Sequence, residues 1–195
     1  MHIEKMFSID GKLMDGILVI YPEIFSDKRG LFFESWNQKQ FDRVTGSKLQ
    51  FKQDNYSESS KGVLRGLHFQ AKPKEQGKLI SCTLGRIFDV VVDLRERSPT
   101  FSKWGSIELD SEDKRQLWVP PGFAHGFITL SSKAIVQYKT TQYWDKDSEY
   151  TILYNDKDIN IKWPLEKIFP EDINLSLKDS KGISLEKALL NKKLF

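Results

Sequence analysis

Cysteine and histidine are scarce in this chain of 195 residues, which has one cysteine and three histidines. A single cysteine, Cys82, cannot form an intramolecular disulfide, and its use is typical of a reducing compartment. No apolar run reaches the roughly 18 residues that a membrane-spanning helix needs. The N-terminal residues also lack the basic-then-apolar layout of a secretory signal. We therefore expect a cytoplasmic protein that does not bind a membrane.

Motifs of several large enzyme classes are missing as well. The sequence contains no Gly-x-Gly-x-x-Gly fingerprint, no Walker loop and no Gly-x-Ser-x-Gly elbow, so it supports neither a dinucleotide enzyme nor a serine hydrolase. Its 30 basic and 27 acidic residues are spread along the chain and give a net charge of +3. No basic block alternates with aromatic residues as in a nucleic-acid-binding protein. We therefore expect no nucleic-acid partner.

Aromatic and β-forming residues, in contrast, are abundant. Thirteen Phe and five Trp are too many for a disordered chain. Short β-type segments follow one another at a spacing of about 8–12 residues, which predicts a sandwich or barrel. These candidate strands are 78–84, 87–94, 104–109, 116–119, 127–130 and 134–141. The first two flank a Gly-Arg pair and predict a β-hairpin.

Helix signals are confined to two short segments. Asn37 can cap a helix that contains Phe41 and ends near Gly46. Ser184 can cap a terminal helix with Leu185, Ala188 and Leu189 as its apolar side. Between them, 156–181 contains Trp163-Pro164 and Phe169-Pro170 and predicts an extended segment that covers the body. We expect one domain, 1–195, with an N-terminal extension (1–16) and a loop-rich and helical C-terminal strap (156–195).

Two of the three histidines are candidates for a site. His2 lies at the terminus and is expected to be inert, whereas His68 and His125 both lie in β-type segments flanked by glycine and aromatic residues. A buried histidine with a single hydrogen bond is the alternative interpretation of each. Strict alternation places Arg65 and His68 on opposite faces of a strand. A bulge at Gly66 is required if both side chains face one pocket.

A metal site is not supported by the same segments. The Pro-x-Gly-x-x-His run that ends at His125 resembles one half of the cupin metal motif. The other half needs clustered histidines and a glutamate, but His68 is followed by Phe69 and Gln70. Because a metal site needs three or four protein ligands, we expect no metal. Arg29 and Arg65, each followed by glycine, suit bidentate contact with phosphate, although each alone is more typical of a surface arginine.

Many short motifs occur in order between about residue 17 and about residue 190. They are 27–34, 53–55, 62–70, 76–79, 88–95, 98–101, 116–120, 122–127, 138–141 and 175–179. Together they resemble the dTDP-4-dehydrorhamnose 3,5-epimerase family. The resemblance implies an all-β, cupin-like jelly roll with a few short peripheral helices, forming a homodimer through exchanged strands and acting without cofactor or metal.

The resemblance also implies a reaction and a set of site residues. The substrate is dTDP-4-dehydro-6-deoxy-D-glucose, a dTDP-linked 4-keto-6-deoxy sugar inverted at C3 and C5 through an enolate on the route to dTDP-L-rhamnose and cell-surface polysaccharide. By matching position, His68 is the base, Asp179 its carboxylate partner, Lys78 the cation near the enolate and Tyr138 the acid on the opposite face. The substrate-binding positions are Arg29, Glu34, Gln53, Asn55, Arg65, His125, Trp144 and Lys178.

Two positions depart from the family pattern. Trp144 stands where many members have a second tyrosine, and Tyr56 stands where histidine is frequent. These departures leave open the sugar used and whether both centres are inverted. The alternatives are therefore an epimerase that inverts one centre of another nucleotide-linked 4-keto sugar, a non-catalytic sugar-nucleotide-binding protein, and a metal-dependent cupin oxygenase.

Overall fold

Strands dominate the computed structural model, which describes residues 1–168 and 173–195. The strands are β1 (His2–Phe7), β2 (Leu13–Tyr21), β3 (Ile24–Asp27), β4 (Gly30–Phe33), β5 (Gln53–Ser60), β6 (Leu64–Gln70), β7 (Lys78–Leu84), β8 (Arg86–Asp93), β9 (Trp104–Asp110), β10 (Gln116–Val119), β11 (Phe123–Thr129), β12 (Lys133–Thr140) and β13 (Glu149–Thr151). The helices are α1 (Gln38–Thr45), α2 (Leu177–Ser180) and α3 (Leu185–Leu190), with a 3₁₀ turn at Leu165–Lys167.

Two antiparallel sheets form the body. The six-stranded sheet has the order β1-β2-β10-β7-β12-β5, and the five-stranded sheet has the order β13-β6-β11-β8-β9. Apolar residues from both sheets share one interior core, among them Ile80 from the first and Val91 and Phe127 from the second. The predicted all-β jelly roll with short peripheral helices is confirmed. Residues 1–16 contribute β1, which pairs with β2.

The predicted hairpin of β7 and β8 is wrong. β7 pairs with β10 and β12, whereas β8 pairs with β11 and β9, so the two strands belong to different sheets. Gly85 turns the chain between the sheets with a φ of +74°. A Cβ at Gly85 would lie 2.1 Å from the backbone oxygen of Lys133, so only glycine fits this corner. Both strands carry interior-facing apolar residues, and opposite sheets allow both sets to meet in one core.

A bulge in β6 sets the direction of the residues at the centre of that strand. His68 lies opposite His125, and Arg65 lies opposite Phe127. The two pairs are three residues apart on β6 but only two residues apart on β11, so β6 contains one extra residue. The extra residue falls beside Gly66, which has a φ of +124°. Leu64, Leu67 and Phe69 consequently pack on the outer face of the sheet. The bulge considered at Gly66 is therefore present.

The C-terminal strap covers the outer face of the five-stranded sheet. The buried strap residues Ile159, Trp163 and Leu185 share an apolar cluster with Leu64 and Val90 from the sheet. Two backbone bridges hold the strap to the body, Val63 with Asn174 and Ile152 with Ile183. The predicted Phe169-Pro170 pair lies outside the described residues. The strap thus brings residues from the end of the chain to β6.

The predicted helix caps at Asn37, Gly46 and Ser184 are confirmed. The Asn37 side chain accepts a hydrogen bond from the Gln40 backbone N–H, and Gly46 ends α1 in the left-handed conformation. Ser184 caps α3 through the backbone N–H of Lys187. Within the described part of the chain, α1 is the longest helix with eight residues, and no helix there could span a bilayer.

Candidate active site

Lys78 and Tyr138 lie on the interior face of the six-stranded sheet. On β7, Lys78 is two residues from Ile80, which belongs to the interior core. On β12, Tyr138 packs against the same core and lies opposite Ile80, while Thr140 lies opposite Lys78. Since side chains two residues apart on a strand share a face, Lys78 and Tyr138 both point into the space between the sheets.

His68 faces the same space from the five-stranded sheet. It alternates with Leu67 and Phe69, which both pack on the outer face. Its partner in the pairing with β11 is His125. The Lys78 ammonium donates a hydrogen bond of 3.1 Å to the backbone oxygen of His68 and so joins the two sheets. The cleft is therefore lined by an imidazole on one side and by an ammonium and a phenol on the other.

Asp179 binds the His68 ring from the strap. The distance from His68 Nε2 to Asp179 Oδ1 is 2.5 Å, and Asp179 is 3% exposed. Burial lowers the pKa of His68 below its ordinary value, although Asp179 opposes the shift. Burial alone would raise the pKa of Asp179, but the hydrogen bond from His68 holds that pKa below its ordinary value. Both directions fit a neutral imidazole that donates from Nε2 to a carboxylate.

A second histidine–carboxylate pair lies deeper in the sandwich. His125 Nε2 lies 2.9 Å from both carboxylate oxygens of Asp89 on the adjacent strand β8. Asp89 is fully buried, and burial raises the pKa of its carboxyl group against the attraction of His125. The sequence prediction did not include Asp89 in the site. The sequence signal for Asp89 is a carboxylate flanked by apolar residues within the run 87–94, which also contains Asp93.

Burial also tunes the two proton-donating groups of the opposite sheet. It lowers the pKa of Lys78 to about 8, with partial opposition from the carboxylate of Glu149. The ammonium form of Lys78 therefore still predominates at neutral pH. Burial raises the pKa of Tyr138 above its ordinary value, so the phenol keeps its proton. The cleft thus holds a neutral base, a cation and a neutral acid.

Several predicted binding residues lie together at one margin of the cleft. Asn55 lies opposite Tyr138 in the pairing of β5 with β12. Gln53 donates a hydrogen bond of 2.8 Å to Asn55 and accepts one of 2.9 Å from the backbone N–H of Trp144. The Trp144 residue is 55% exposed. These side chains offer amide groups and an aromatic surface to a ligand at the mouth.

Charged residues occupy two further positions around the cleft. Arg65 reaches across to the other sheet, where it donates 3.0 Å to Ser59 Oγ and 3.1 Å to the backbone oxygen of Glu58. Lys178, next to Asp179 on α2, binds Glu149 at 2.9 Å. Glu149 was not predicted, because a lone carboxylate between polar residues carries no sequence signal for its partner.

Arg29 and Glu34 lie on a separate element, the β3–β4 hairpin and the turn that follows it. Arg29 pairs with Asp27 at 2.5 Å, and its side chain is 90% exposed. Glu34 accepts hydrogen bonds from Asn37 and Gln40. The contacts described for these two side chains are therefore local ones, away from His68. Across the described ranges 1–168 and 173–195, His, Cys, Asp and Glu side chains form no group of three or more that could hold a metal ion.

Comparison with known proteins identifies the family. The family model for dTDP-4-dehydrorhamnose 3,5-epimerase matches residues 12–187. The chain is 51% identical over 174 residues to the dTDP-4-dehydrorhamnose 3,5-epimerase of Salmonella typhimurium, covering 89% of this chain and 93% of that protein. It is 52% identical over 160 residues to the enzyme of that name from Shigella flexneri, covering 81% and 88%.

A solved structure gives the same result. The crystal structure of dTDP-6-deoxy-D-glucose-3,5-epimerase from Legionella pneumophila, in complex with dTDP-4-keto-L-rhamnose, matches with a TM-score of 0.88 and 42% identity, covering 99% of this chain and 97% of that one. The predicted resemblance is thus confirmed in sequence and in structure. The chain belongs to the dTDP-4-dehydrorhamnose 3,5-epimerase family.

Proposed function

We propose that this protein inverts C3 and C5 of dTDP-4-dehydro-6-deoxy-D-glucose, on the route to dTDP-L-rhamnose for cell-surface polysaccharide. It is an isomerase in which His68 removes the carbon-bound proton and Tyr138 returns one from the other side. The observation that carries this assignment is the His68–Asp179 pair, which faces the same cleft as Lys78 and Tyr138 in a member of an epimerase family.

Proton removal next to a ketone needs a base and a stabilised enolate. With Nε2 of His68 donating to Asp179, Nδ1 carries the lone pair that accepts the substrate proton. A positioned imidazole contributes roughly 10²- to 10⁴-fold to such a step. Asp179 holds the tautomer and stabilises the imidazolium that forms. The Lys78 ammonium is the donor for the developing enolate oxygen, and one such preorganised donor contributes roughly 10²- to 10³-fold.

Inversion requires that the proton return to the opposite face of the ring. Tyr138 is suited to this step because its phenol projects from the sheet opposite to that of His68 and keeps its proton. The step begins with a protonated phenol and an enolate and ends with a phenolate and a new C–H bond. Burial disfavours the phenolate, but the nearby guanidinium of Arg65 favours it and so lets it exist transiently.

The nucleotide keeps the sugar between these groups while it changes configuration. The family resemblance assigns Arg29 and Arg65 to the pyrophosphate and Glu34, Gln53 and Asn55 to the nucleotide or sugar. Trp144 and Lys178 are further substrate-binding positions. His125, held by Asp89, provides a fixed polar contact in the pocket. Such contacts convert binding energy into positioning of the reacting carbon.

We infer that the active form is a homodimer in which the β3–β4 hairpin is exchanged. The hairpin exposes large apolar side chains: Phe25 is 55% exposed and Phe32 is 66% exposed. A cavity of about 600 Å³ beside it is lined partly by Leu31 and Leu79. A second copy would cover this surface and receive Arg29 and Glu34 at its cleft. Phe32→Glu should then yield a monomer with a raised KM; an unchanged mass by light scattering would contradict the exchange.

The state of the thiol supports a proposed cellular location. Cys82 is free and buried, which fits a reducing compartment, and we place the enzyme in the cytoplasm.

The reaction is tested by incubation with dTDP-4-dehydro-6-deoxy-D-glucose in D₂O. We expect one deuterium at C3 and one at C5 of an inverted product, assigned by NMR and mass spectrometry. Deuterium at a single carbon with a single inversion would instead identify an epimerase of one centre. Tight binding without any exchange would identify a non-catalytic sugar-nucleotide-binding protein.

A further inference from the structure

The short helix α2 is anchored at both ends by backbone pairing. Before it, the Asn174 N–H donates to the Gly62 oxygen and the Asn174 oxygen accepts from Leu64, both at 3.0 Å. After it, the Ile183 N–H donates 2.8 Å to the Thr151 oxygen. Between these anchors the chain makes one four-residue helix, which is too short to be stable by itself. The backbone anchors fix where α2 begins and ends, and side-chain contacts with the body fix the turn between them.

Those side-chain contacts are polar. Leu177, at the first position of α2, is 72% exposed, so apolar burial does not fix this turn. Asp179 binds His68, and the neighbouring Lys178 binds Glu149 with a Nζ to Oε1 distance of 2.9 Å. Among the described residues, these two pairs are the side-chain links of α2 to the strands beneath it.

Glu149 lies on a β-strand of the body, whereas Lys178 lies on α2. It starts β13, where it lies opposite Gln70, and two residues later Thr151 lies opposite His68. The Glu149 side chain is 19% exposed, against 49% for Lys178. Burial alone would raise the pKa of Glu149, but the ion pair with Lys178 holds that pKa below its ordinary value, so the group is a carboxylate at neutral pH. An edge strand bonded to β6 thus carries a fixed negative charge facing α2.

We propose that Glu149 is a positioning residue: by binding Lys178 it fixes α2 and keeps Asp179 on the Nε2 atom of His68. This assignment rests on the proposed epimerase function for its catalytic consequence. The positioning acts through Lys178 and α2, since the ion pair and the catalytic pair are made by adjacent residues of one turn. Separately, the charge of Glu149 favours the protonated form of Lys78. Without the Glu149 carboxylate, Asp179 is no longer held against the His68 ring. The imidazole is then no longer fixed in one tautomer.

The variant Glu149→Gln tests this proposal while keeping the side-chain shape. We expect kcat to fall roughly 10-fold with a smaller change in KM, because misplacement of a catalytic group acts on the chemical step. In the substrate-free protein, the low-field NMR signal of the proton between His68 Nε2 and Asp179 should broaden or disappear. The matched control is Glu58→Gln, which removes a carboxylate bound to Lys133 at 2.7 Å on another strand; it should leave both readouts unchanged.

The two readouts separate the possible failures. A Glu149→Gln protein that keeps the NMR signal would overturn the positioning role, and a fall in kcat in that protein would instead report the charge lost beside Lys78. Wild-type protein that does not epimerise the substrate would overturn the proposed function, while the NMR signal would still report on positioning. If Glu149→Gln does not fold, Lys178→Met breaks the same ion pair from the other side, and persistence of the low-field signal in that variant would also contradict the proposal.

Discussion

The cleft contains two histidine–carboxylate pairs that differ in how they are built. His125 and Asp89 lie on adjacent strands, 36 residues apart in sequence, and both are buried within the sandwich. His68 and Asp179 are 111 residues apart, one on a strand and the other on the strap, and the His68 side chain is 25% exposed. One pair is part of the sheet, and the other is assembled from two elements at the open side.

This difference favours His68 and Asp179 as the pair that takes part in the proposed proton transfer. A base must touch the substrate and change its charge, which requires access and a carboxylate that stabilises the imidazolium. His68 has both. A pair locked between strands cannot move but can hold a ring in one orientation, as His125 does through two contacts of 2.9 Å. In the proposed mechanism, the same chemical groups thus form a reactive pair at one place and a fixed pair at the other.

The largest expected difference in activity is between the variants His68→Asn and His125→Asn. We expect His68→Asn to lower kcat/KM by about 10³-fold, because the base is lost. His125→Asn should act mainly through KM and by a smaller factor. The measurement is the rate of deuterium uptake and product formation, with circular dichroism to check folding. Similar kcat values for the two variants would break the distinction between the pairs.

The carboxylate of the reactive pair should matter nearly as much as its base. Asp179→Asn leaves a side chain of the same shape but removes the charge that fixes the His68 tautomer, so kcat should fall about 10²-fold. Asp158→Asn is the control, since its exposed side chain lies on the same strap. Wild-type turnover in Asp179→Asn would remove Asp179 from the mechanism.

The fixed pair should matter more for stability. Asp89→Asn replaces a fully buried carboxylate that binds His125 through two oxygens, and we expect a loss of about 1–3 kcal/mol in the free energy of unfolding. For Asp179→Asn, whose partner is partly exposed, the expected loss is about 1 kcal/mol. Urea denaturation of both variants gives the comparison, and a larger loss for Asp179→Asn would reverse it.

The pH dependence of kcat/KM gives the smallest effect. His68 must be neutral, and its pKa is lowered from 6.5, so activity should fall only as the pH drops below that value. Lys78 must be protonated, and its pKa is about 8, so activity should fall again as the pH rises through about 8. In Lys78→Arg the alkaline decrease should move to higher pH, whatever the loss of rate. An unmoved alkaline limb would assign it to another group.

Local features of the fold were predictable because local chemistry determines them. Asn37 and Gly46 bound α1 through a side-chain acceptor and a left-handed turn. The predicted strands 78–84 and 116–119 agree with β7 and β10, which have apolar residues facing a core. β5 gave no strand signal, since all eight of its residues, Gln53–Ser60, are polar or tyrosine.

Features that depend on distant contacts were not predictable from the pattern. The partners of β7 and β8 were mistaken because two β segments around a glycine fit a hairpin and a corner between sheets equally well. The strand β11 starts at Phe123, four residues before the predicted 127, because buried His125 and Gly126 do not form an apolar pattern. The position of Asp179 in the site came from family resemblance, and the contacts of Asp89 and Glu149 emerged only in the folded chain.

In the proposed mechanism, one proton leaves toward His68 and another returns from Tyr138 on the opposite face of the sugar. Tyr138→Phe in D₂O tests it directly. We expect recovered substrate to contain deuterium with its configuration unchanged, while inverted product falls about 10²-fold. Inversion at the wild-type rate, or a loss of exchange as complete as in His68→Asn, would contradict the claim.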